Sequence, residues 1–410
     1  MVDMTKTHTH PYPLLLTPIY KPMLWGGNRL NTLYNRNSPF EKTGESWDIS
    51  CRPQEMGIIE NGPAAGQTLE AFIAQDRAGI LGTRLANQPG FPLLVKIIDA
   101  NASLSVQVHP GDDFAKGLAG GKTHPSGIST GGQWQAADTG KTEMWYILTP
   151  PTDGHLIIGL KPGITPAALR TAYENGTVES CLNHLPVAAG DIINIPAGLV
   201  HALTPGVMVA EVQQNSDITY RIYDYNRLGP DGKPRDLHIE ESLAVADFDG
   251  KIPKAAVPGL EIKKDNCTLT YAIANQYFAI IKYDLAGSYE EASNPAAFSI
   301  FTCVEGRVEI ILTAQQTSQA IQNTAPQAGF GGHTSHQGED ATAIILPAGH
   351  SAFIPASMGS YIIRPISTHA TLIKSFVPDI ENDFIAPLKS YGYTSEAIAS
   401  STALDLGQES

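Results

Sequence analysis

"GDIINIPAGLVH", residues 190–201, is the stretch on which the fold turns. Asp191 to Ile195 is a run of β-formers, and Pro196 ends it because proline has no amide hydrogen to give a ladder. Pro196 and Gly198 then make a tight turn. His201 stands just beyond that turn. Far downstream "GHSAFIPASMGS", beginning at Gly349, repeats the pattern of glycine, five residues, proline, alanine and a small residue. It carries Gly359 and Ser360 around the place of His201, and no histidine at that place. The pair reads as two β-modules of one design, of which only the first holds a ligand.

The rest of the chain agrees with a mainly β fold. Strand-length apolar runs recur between Gly, Pro, Asn and Asp: "PLLVKIID", "EMWYIL", "HLIIGL", "VMVAEVQQ", "ITYRIYDY", and later "YFAIIKYDL", "FSIFTCV", "RVEIIL" and "ATLIKSFV". Many short strands so spaced predict sandwiches or barrels. Helical signals are fewer. Thr68 caps "TLEAFIAQDRAGILG"; Thr165, Pro166 and Gly176 frame a helix that leads into "VESCLNHLP", read as a second short helix. A helical insertion is therefore expected over 163–185. Residues 117–140 and 314–340 read as long loops, the first placed to act as a lid beside the motif region, the second as an exposed insertion. A boundary is expected at "DGKIPKAAVPG", giving a catalytic module over 1–250 and a degenerate one over 251–410.

Composition narrows the function classes. The chain has 410 residues, a net charge of −14 and 17% charged residues. So acidic a protein does not bind nucleic acid through a basic face. A few local Lys or Arg residues still suffice for an anionic small molecule. No apolar run reaches the roughly 18 residues of a membrane span, and the three-leucine run near the N-terminus is too short for a signal-peptide core. Cys51, Cys181, Cys267 and Cys303 form no CxxC and read as free thiols of a cytoplasmic protein.

In "LSVQVHP", residues 104–110, alternation puts Ser105, Gln107 and His109 on one face. "GKTEMWYIL" places Lys141 and Glu143 on one face of another strand. With His201 these supply two imidazoles, one carboxylate and one amide oxygen, a donor set suited to Zn²⁺. A neutral amide leaves the ion a net positive charge and so a stronger Lewis acid. Trp25, Trp47, Trp145 and Tyr146 read as core; His124 reads as exposed, and His333, His336 and His350 are given no role.

The spacing at 190–201 resembles the second signature of the cupin β-barrels, with Gln107 where the first signature has a histidine. With "PLLLTPIYKPMLWGG", "GESWDIS", "LSVQVHP", "GKTEMWYIL", "PAGLVHAL" and "VQQNSDITYRIYDYNR" in order, residues from about 14 to 243 resemble type I mannose-6-phosphate isomerases of the short bacterial kind. That resemblance implies cupin-type jelly-roll barrels, one Zn²⁺ per chain on Gln107, His109, Glu143 and His201, and interconversion of mannose 6-phosphate and fructose 6-phosphate through an enediolate. It implies an active-site role for Arg221, with Asp217 and Glu211 as acidic positions. Lys141 is a further catalytic candidate. Ser105, Lys141 and Arg227 are expected to bind the sugar phosphate. The proton carrier stays open, as does monomer against homodimer. An Fe²⁺ cupin oxygenase and a non-catalytic sugar-phosphate sensor are the alternatives; Gln107 argues against the first, and the presence of Arg221 and the whole ligand set argues against the second.

Overall fold

The structure is a computed structural model that describes residues 11–119, 139–229, 232–250, 252–253, 255–313 and 343–407. It is mainly β. A six-stranded antiparallel sheet runs in the order Ile192–Ile195, Glu143–Thr149, Met208–Gln214, Leu93–Asp99, Glu45–Ile49, Ile19–Lys21. A five-stranded sheet faces it: Leu182–Pro186, His155–Leu160, His201–Ala202, Val106–Val108, Tyr220–Tyr223. Alternation dictates the packing. Trp145, Ile147, Ile193, Ile195 and Val209 on one face of the larger sheet meet Leu156 and Ile158 of the smaller. The smaller sheet's outer face, with Val106, Val108, Ala202 and Ile222, is covered by Leu169 and Ala172 of helix Pro166–Glu174. The larger sheet's other face, with Val95, Ile97, Met144 and Val212, joins the core of the C-terminal half.

That half repeats the design. Its main sheet contains Cys267–Ala274, Ala279–Leu285, Ala370–Phe376, Ser299–Glu305 and His350–Ile354 as neighbours in that order, and its small sheet runs Tyr289–Ala292, Ser360–Pro365, Arg307–Leu312, Ala343–Pro347. Read in reverse, the first half's larger sheet from Glu45–Ile49 to Ile192–Ile195 has the same order, and so does its smaller sheet from Val106–Val108 to Leu182–Pro186; Tyr220–Tyr223 has no counterpart in the small sheet of the second half. Gly190 and Gly349, which open the repeated stretch, both sit at positive φ (91° and 74°), where a side chain would be strained.

Several expectations need correction. The strand Leu14–Thr17 pairs antiparallel with His350–Ile354 through its first residues, Leu14 opposite Phe353, and with Ile58–Ile59 through its last. Leu14 and Leu16 are buried there, so burial draws this strand onto the second module's sheet. "VESCLNHLP" is not a second helix. Val178–Cys181 is one 3₁₀ turn, and Leu182–Pro186 is a strand paired to His155–Leu160, with Leu182 and Leu185 buried. The helix from Thr68 is two, Leu69–Gln75 and Arg77–Leu81, because Asp76 caps the second through Gly79 N. A helix over Asp112–Ala119 was not expected. Residues 120–138 and 314–342 lie outside the described residues, and with them most of both long loops, His124, His333 and His336. No helix among the described residues is long and apolar enough to cross a membrane.

Candidate metal centre and active site

Register builds the site. On the smaller sheet His201 stands directly opposite Gln107, and Gln107 directly opposite Arg221. Residues so paired project from the same face, so these side chains form one row. The turn before His201 is held by Gly198, whose φ of 87° needs glycine and whose N–H donates to His109 O at 2.9 Å. His109 follows the Val106–Val108 strand, and Glu143 opens a strand of the facing sheet.

His109 Nδ1 lies 2.7 Å from Ile218 O, and His201 Nδ1 lies 2.8 Å from Leu199 O. A carbonyl only accepts, so each Nδ1 carries the proton and each Nε2 presents a lone pair. Both Nε2 atoms face Glu143, at 3.6 Å from Oε2 and 3.4 Å from Oε1. The ligand atoms of His109, Glu143 and His201 all lie within 4.8 Å of one another. Burial, then Lys141 and His201, drives the His109 pKa well below the ordinary imidazole value; burial lowers that of His201 to about 4. Both rings are therefore neutral, the form a metal requires. Burial, then Glu211, pushes Glu143 up to about 7 against the pull of Lys141. Its Oε1 is buried with no hydrogen-bond donor among the described residues, an acceptor left for a cation. The chemistry of these donors fits a divalent metal ion. Gln107 Nε2 is 3.3 Å from His201 Nε2, and a half-turn of its amide sets the oxygen there instead. Lys141 Nζ lies 2.6 Å from Glu143 Oε2 and 3.0 Å from His109 Nε2.

Two residues further along the larger sheet lies a second polar row. Trp47, Lys96, Glu211 and Trp145 are successive cross-strand partners. Trp145 packs edge-on against His201 at 5.4 Å and donates from Nε1 to Glu211 Oε2 at 2.8 Å. Lys96 Nζ pairs with Glu211 at 3.4 Å and Glu45 at 3.5 Å. Burial works against the Glu211 charge, but Lys141, Lys96 and the Trp145 N–H outweigh it and hold the carboxyl below its ordinary value. Lys96 escaped the sequence reading. The signal was there: a lysine inside "LLVKIID" on the face of Leu94 and Ile98 must be buried, and a buried lysine needs carboxylates.

The remaining candidates divide. Ser105 is buried, its Oγ 3.4 Å from Gln107 Oε1. Arg221 Nη1 reaches Asp236 O at 3.5 Å, and its Nε is buried without an acceptor among the described residues. Asp217 is exposed, influencing Lys96 and Arg221 through its charge. Arg227 is committed to Asp224 and to Ser103 O. Arg235 donates to the same Asp224 carboxylate at 2.7 and 2.6 Å, so two guanidinium groups share one carboxylate and leave one positive charge in excess. Trp25, Trp47, Trp145 and Tyr146 are buried, though Trp47 and Trp145 also bound the polar row.

Known proteins match this architecture. The family profile "Phosphomannose isomerase type I, catalytic domain" matches residues 14–150. The probable mannose-6-phosphate isomerase GmuF of Bacillus subtilis is 38% identical over 277 residues, 67% of this chain and 81% of that protein. Mannose-6-phosphate isomerase ManA of the same organism is 34% identical over 299 residues, 73% of this chain and 87% of that one. The crystal structure of a Bacillus subtilis mannose 6-phosphate isomerase superposes with a TM-score of 0.71 at 28% identity, covering 89% of this chain and 99% of that one. With 81% of a relative spanned at 38% identity, the chain belongs to the type I mannose-6-phosphate isomerase family.

Proposed function

We infer that this protein is a metal-assisted aldose–ketose isomerase that interconverts mannose 6-phosphate and fructose 6-phosphate, using zinc held by Gln107, His109, Glu143 and His201. The observation that carries the reading is the pair of neutral imidazoles whose Nε2 atoms converge on Glu143. Backbone carbonyls fix both rings in the ligating tautomer, as the outer partners of metal-bound histidines do. Nitrogen and oxygen donors without thiolate suit zinc. The facing sheets of each half fit the cupin jelly roll, with the first half as the catalytic module and the second as a module without ligands.

Isomerisation moves a proton between adjacent carbons while negative charge builds on the substrate oxygens. A bound zinc ion would supply the positive charge that stabilises those oxygens. The chain's own residues would do the rest. Lys141, whose ammonium lies on Glu143 Oε2 and His109 Nε2, would turn to a substrate hydroxyl once a metal takes those lone pairs. Arg221, in register with Gln107, has a buried Nε–H without an acceptor among the described residues and would stabilise the developing oxyanion. The excess charge of Arg227 and Arg235 over Asp224, with the Ser105 hydroxyl, would anchor the phosphate. Glu211 has the Trp145 indole on one oxygen and Lys96 on the other, and so acts as a fixed anion that orients both. Free thiols at Cys51, Cys181, Cys267 and Cys303 suit the reducing cytoplasm.

The test is a coupled assay on metal-analysed protein, with mannose 6-phosphate supplied and fructose 6-phosphate followed. About one zinc per chain is expected, with turnover lost on chelation and in His201→Ala. Bound zinc without turnover would move the substrate elsewhere; freshly purified, folded protein that takes up no zinc would remove the metal centre.

A further inference from the structure

We propose that Asp112 is a positioning residue for the metal centre: its carboxylate locks the chain leaving His109 against the chain entering Lys141 and Glu143. The inference rests on the metal-centre reading above and adds a residue that touches neither metal nor substrate.

The ligands His109 and Glu143 come from stretches separated by a long segment, so their spacing must be set at the base of that segment. Asp112 sits there. Its Oδ1 accepts from Gly140 N at 2.8 Å and from Gln214 Nε2 at 3.0 Å. Gln214, buried in the larger sheet, accepts in turn from Thr142 N through its Oε1 at 2.8 Å. Lys141 N donates to Pro110 O at 3.0 Å. One carboxylate oxygen thus ties together the residue before Lys141, the residue before Glu143 through Gln214, and the turn after His109. The fit leaves no slack, since a Cβ on Gly140 would stand 2.8 Å from Asp112 Oδ1 and 2.6 Å from Asp112 N. The clamp also reaches the second module. The Tyr277 phenol is raised above its ordinary range first by burial and then by the Asp112 carboxylate it faces. Tyr277 lies in the turn between Cys267–Ala274 and Ala279–Leu285, so the half without ligands helps to hold the half that has them.

The experiment is zinc affinity by competition with a chromophoric chelator, on the full chain. Melting temperature is read alongside, with kcat and KM for mannose 6-phosphate at saturating zinc. Asp112→Ala should weaken zinc binding about tenfold to 100-fold, the range for lost outer partners of metal ligands, with kcat falling more than KM rises. Asp112→Asn keeps an acceptor oxygen and should stay within about threefold of the parent. Gln214→Glu keeps the acceptor for Thr142 N but sets a second carboxylate against Asp112. It should weaken zinc as Asp112→Ala does, and it decides the matter should the alanine variant not fold. Zinc affinity within twofold of the parent in a folded Asp112→Ala or Gln214→Glu protein would overturn the proposal, even if melting falls. So would an asparagine variant as weak as the alanine one. A parent that binds no zinc overturns the metal-centre reading itself, a different and separately visible result.

Discussion

Replacing Lys96 by methionine keeps most of the side-chain stem and removes one charge. Lys96 is 3% exposed. Its ammonium lies 3.4 Å from Glu211 and 3.5 Å from Glu45, and 4.8 Å from the centre of the Trp47 ring. Removing it strands the Glu211 charge in a site with 4% side-chain exposure, while Glu45, at 12%, keeps some water. Breaking a buried pair from one side costs about 3–5 kcal/mol. For a module of 150–250 residues that corresponds to a fall in melting temperature of about 6–20 °C. In Lys96→Met/Glu211→Gln no anion is left on Glu211's side, and the amide oxygen can still accept from Trp145. About half the loss should return. The pH dependence follows from the sign of the Lys96 shift. Burial pushes its pKa down, but Glu45, Glu211, Asp217 and Glu143 outweigh burial and raise it above the ordinary value. Its contribution is therefore complete below the ordinary lysine value of about 10.4 and lost only as pH rises through the higher folded value. The melting difference between parent and Lys96→Met should be equal at pH 7 and pH 9. A single variant that melts within about 3 °C of the parent, or a double variant less stable than the single, would refute the burial argument.

Arg221→Met should lower kcat/KM for mannose 6-phosphate by about 10²–10³-fold, as lost transition-state donors do. Melting should barely change, because among the described residues the Arg221 guanidinium has one long bond, at 3.5 Å, to lose. Asp224→Asn bears on acid stability. Burial opposes the Asp224 charge, yet Arg235 and Arg227 outweigh it and hold its pKa below the ordinary value. The stabilisation is complete above about pH 4 and disappears as pH falls through the depressed value. The melting advantage of the parent over Asp224→Asn should therefore be full at pH 6 and shrink toward pH 3, and a constant difference across that range would count against the two-arginine arrangement.

What the chain discloses locally differs from what it discloses only when folded. Alternation in "LSVQVHP" already puts Ser105, Gln107 and His109 on one face, and Ser105 Oγ does lie 3.4 Å from Gln107 Oε1. The turn at Pro196–Gly198 before His201 is equally local, written in residues whose backbone preferences need no partner. Strand propensity in "LLVKIID" says nothing of Lys96; its role follows only from where a buried charge finds its counter-ion, which the fold decides. The Asp112–Ala119 helix was missed because "DDFAKGLAGG" ends in glycines that read as loop. The pairing of Leu14–Thr17 with His350–Ile354 could not be read locally, since any apolar strand with the right alternation could fill that edge.

The second module shows what the polar row is for by showing what replaces it. Lys374 stands between Phe301 and Ile281, and Ile281 stands opposite Tyr271. In strand order this is the row of Glu211 between Trp145 and Lys96, with Trp47 beyond. The aromatic ends survive, and the central charge has changed sign. Glu143, opposite Ile195, has Ser299 opposite Ile354 as its counterpart, so the carboxylate ligand is gone. Lys374 is answered from the small sheet by Glu291 at 3.6 Å, which also accepts from Tyr283 at 2.7 Å. The module thus closes its charge internally, ammonium on carboxylate. The first module also pairs its charges, Lys96 with Glu211 and Glu45 and Lys141 with Glu143, but it adds the two neutral imidazoles of His109 and His201 and leaves Glu143 Oε1 buried without a donor among the described residues. Two copies of one scaffold thus differ in what the matched row faces, and the copy in which imidazole lone pairs converge on a carboxylate is the one equipped to bind a metal ion.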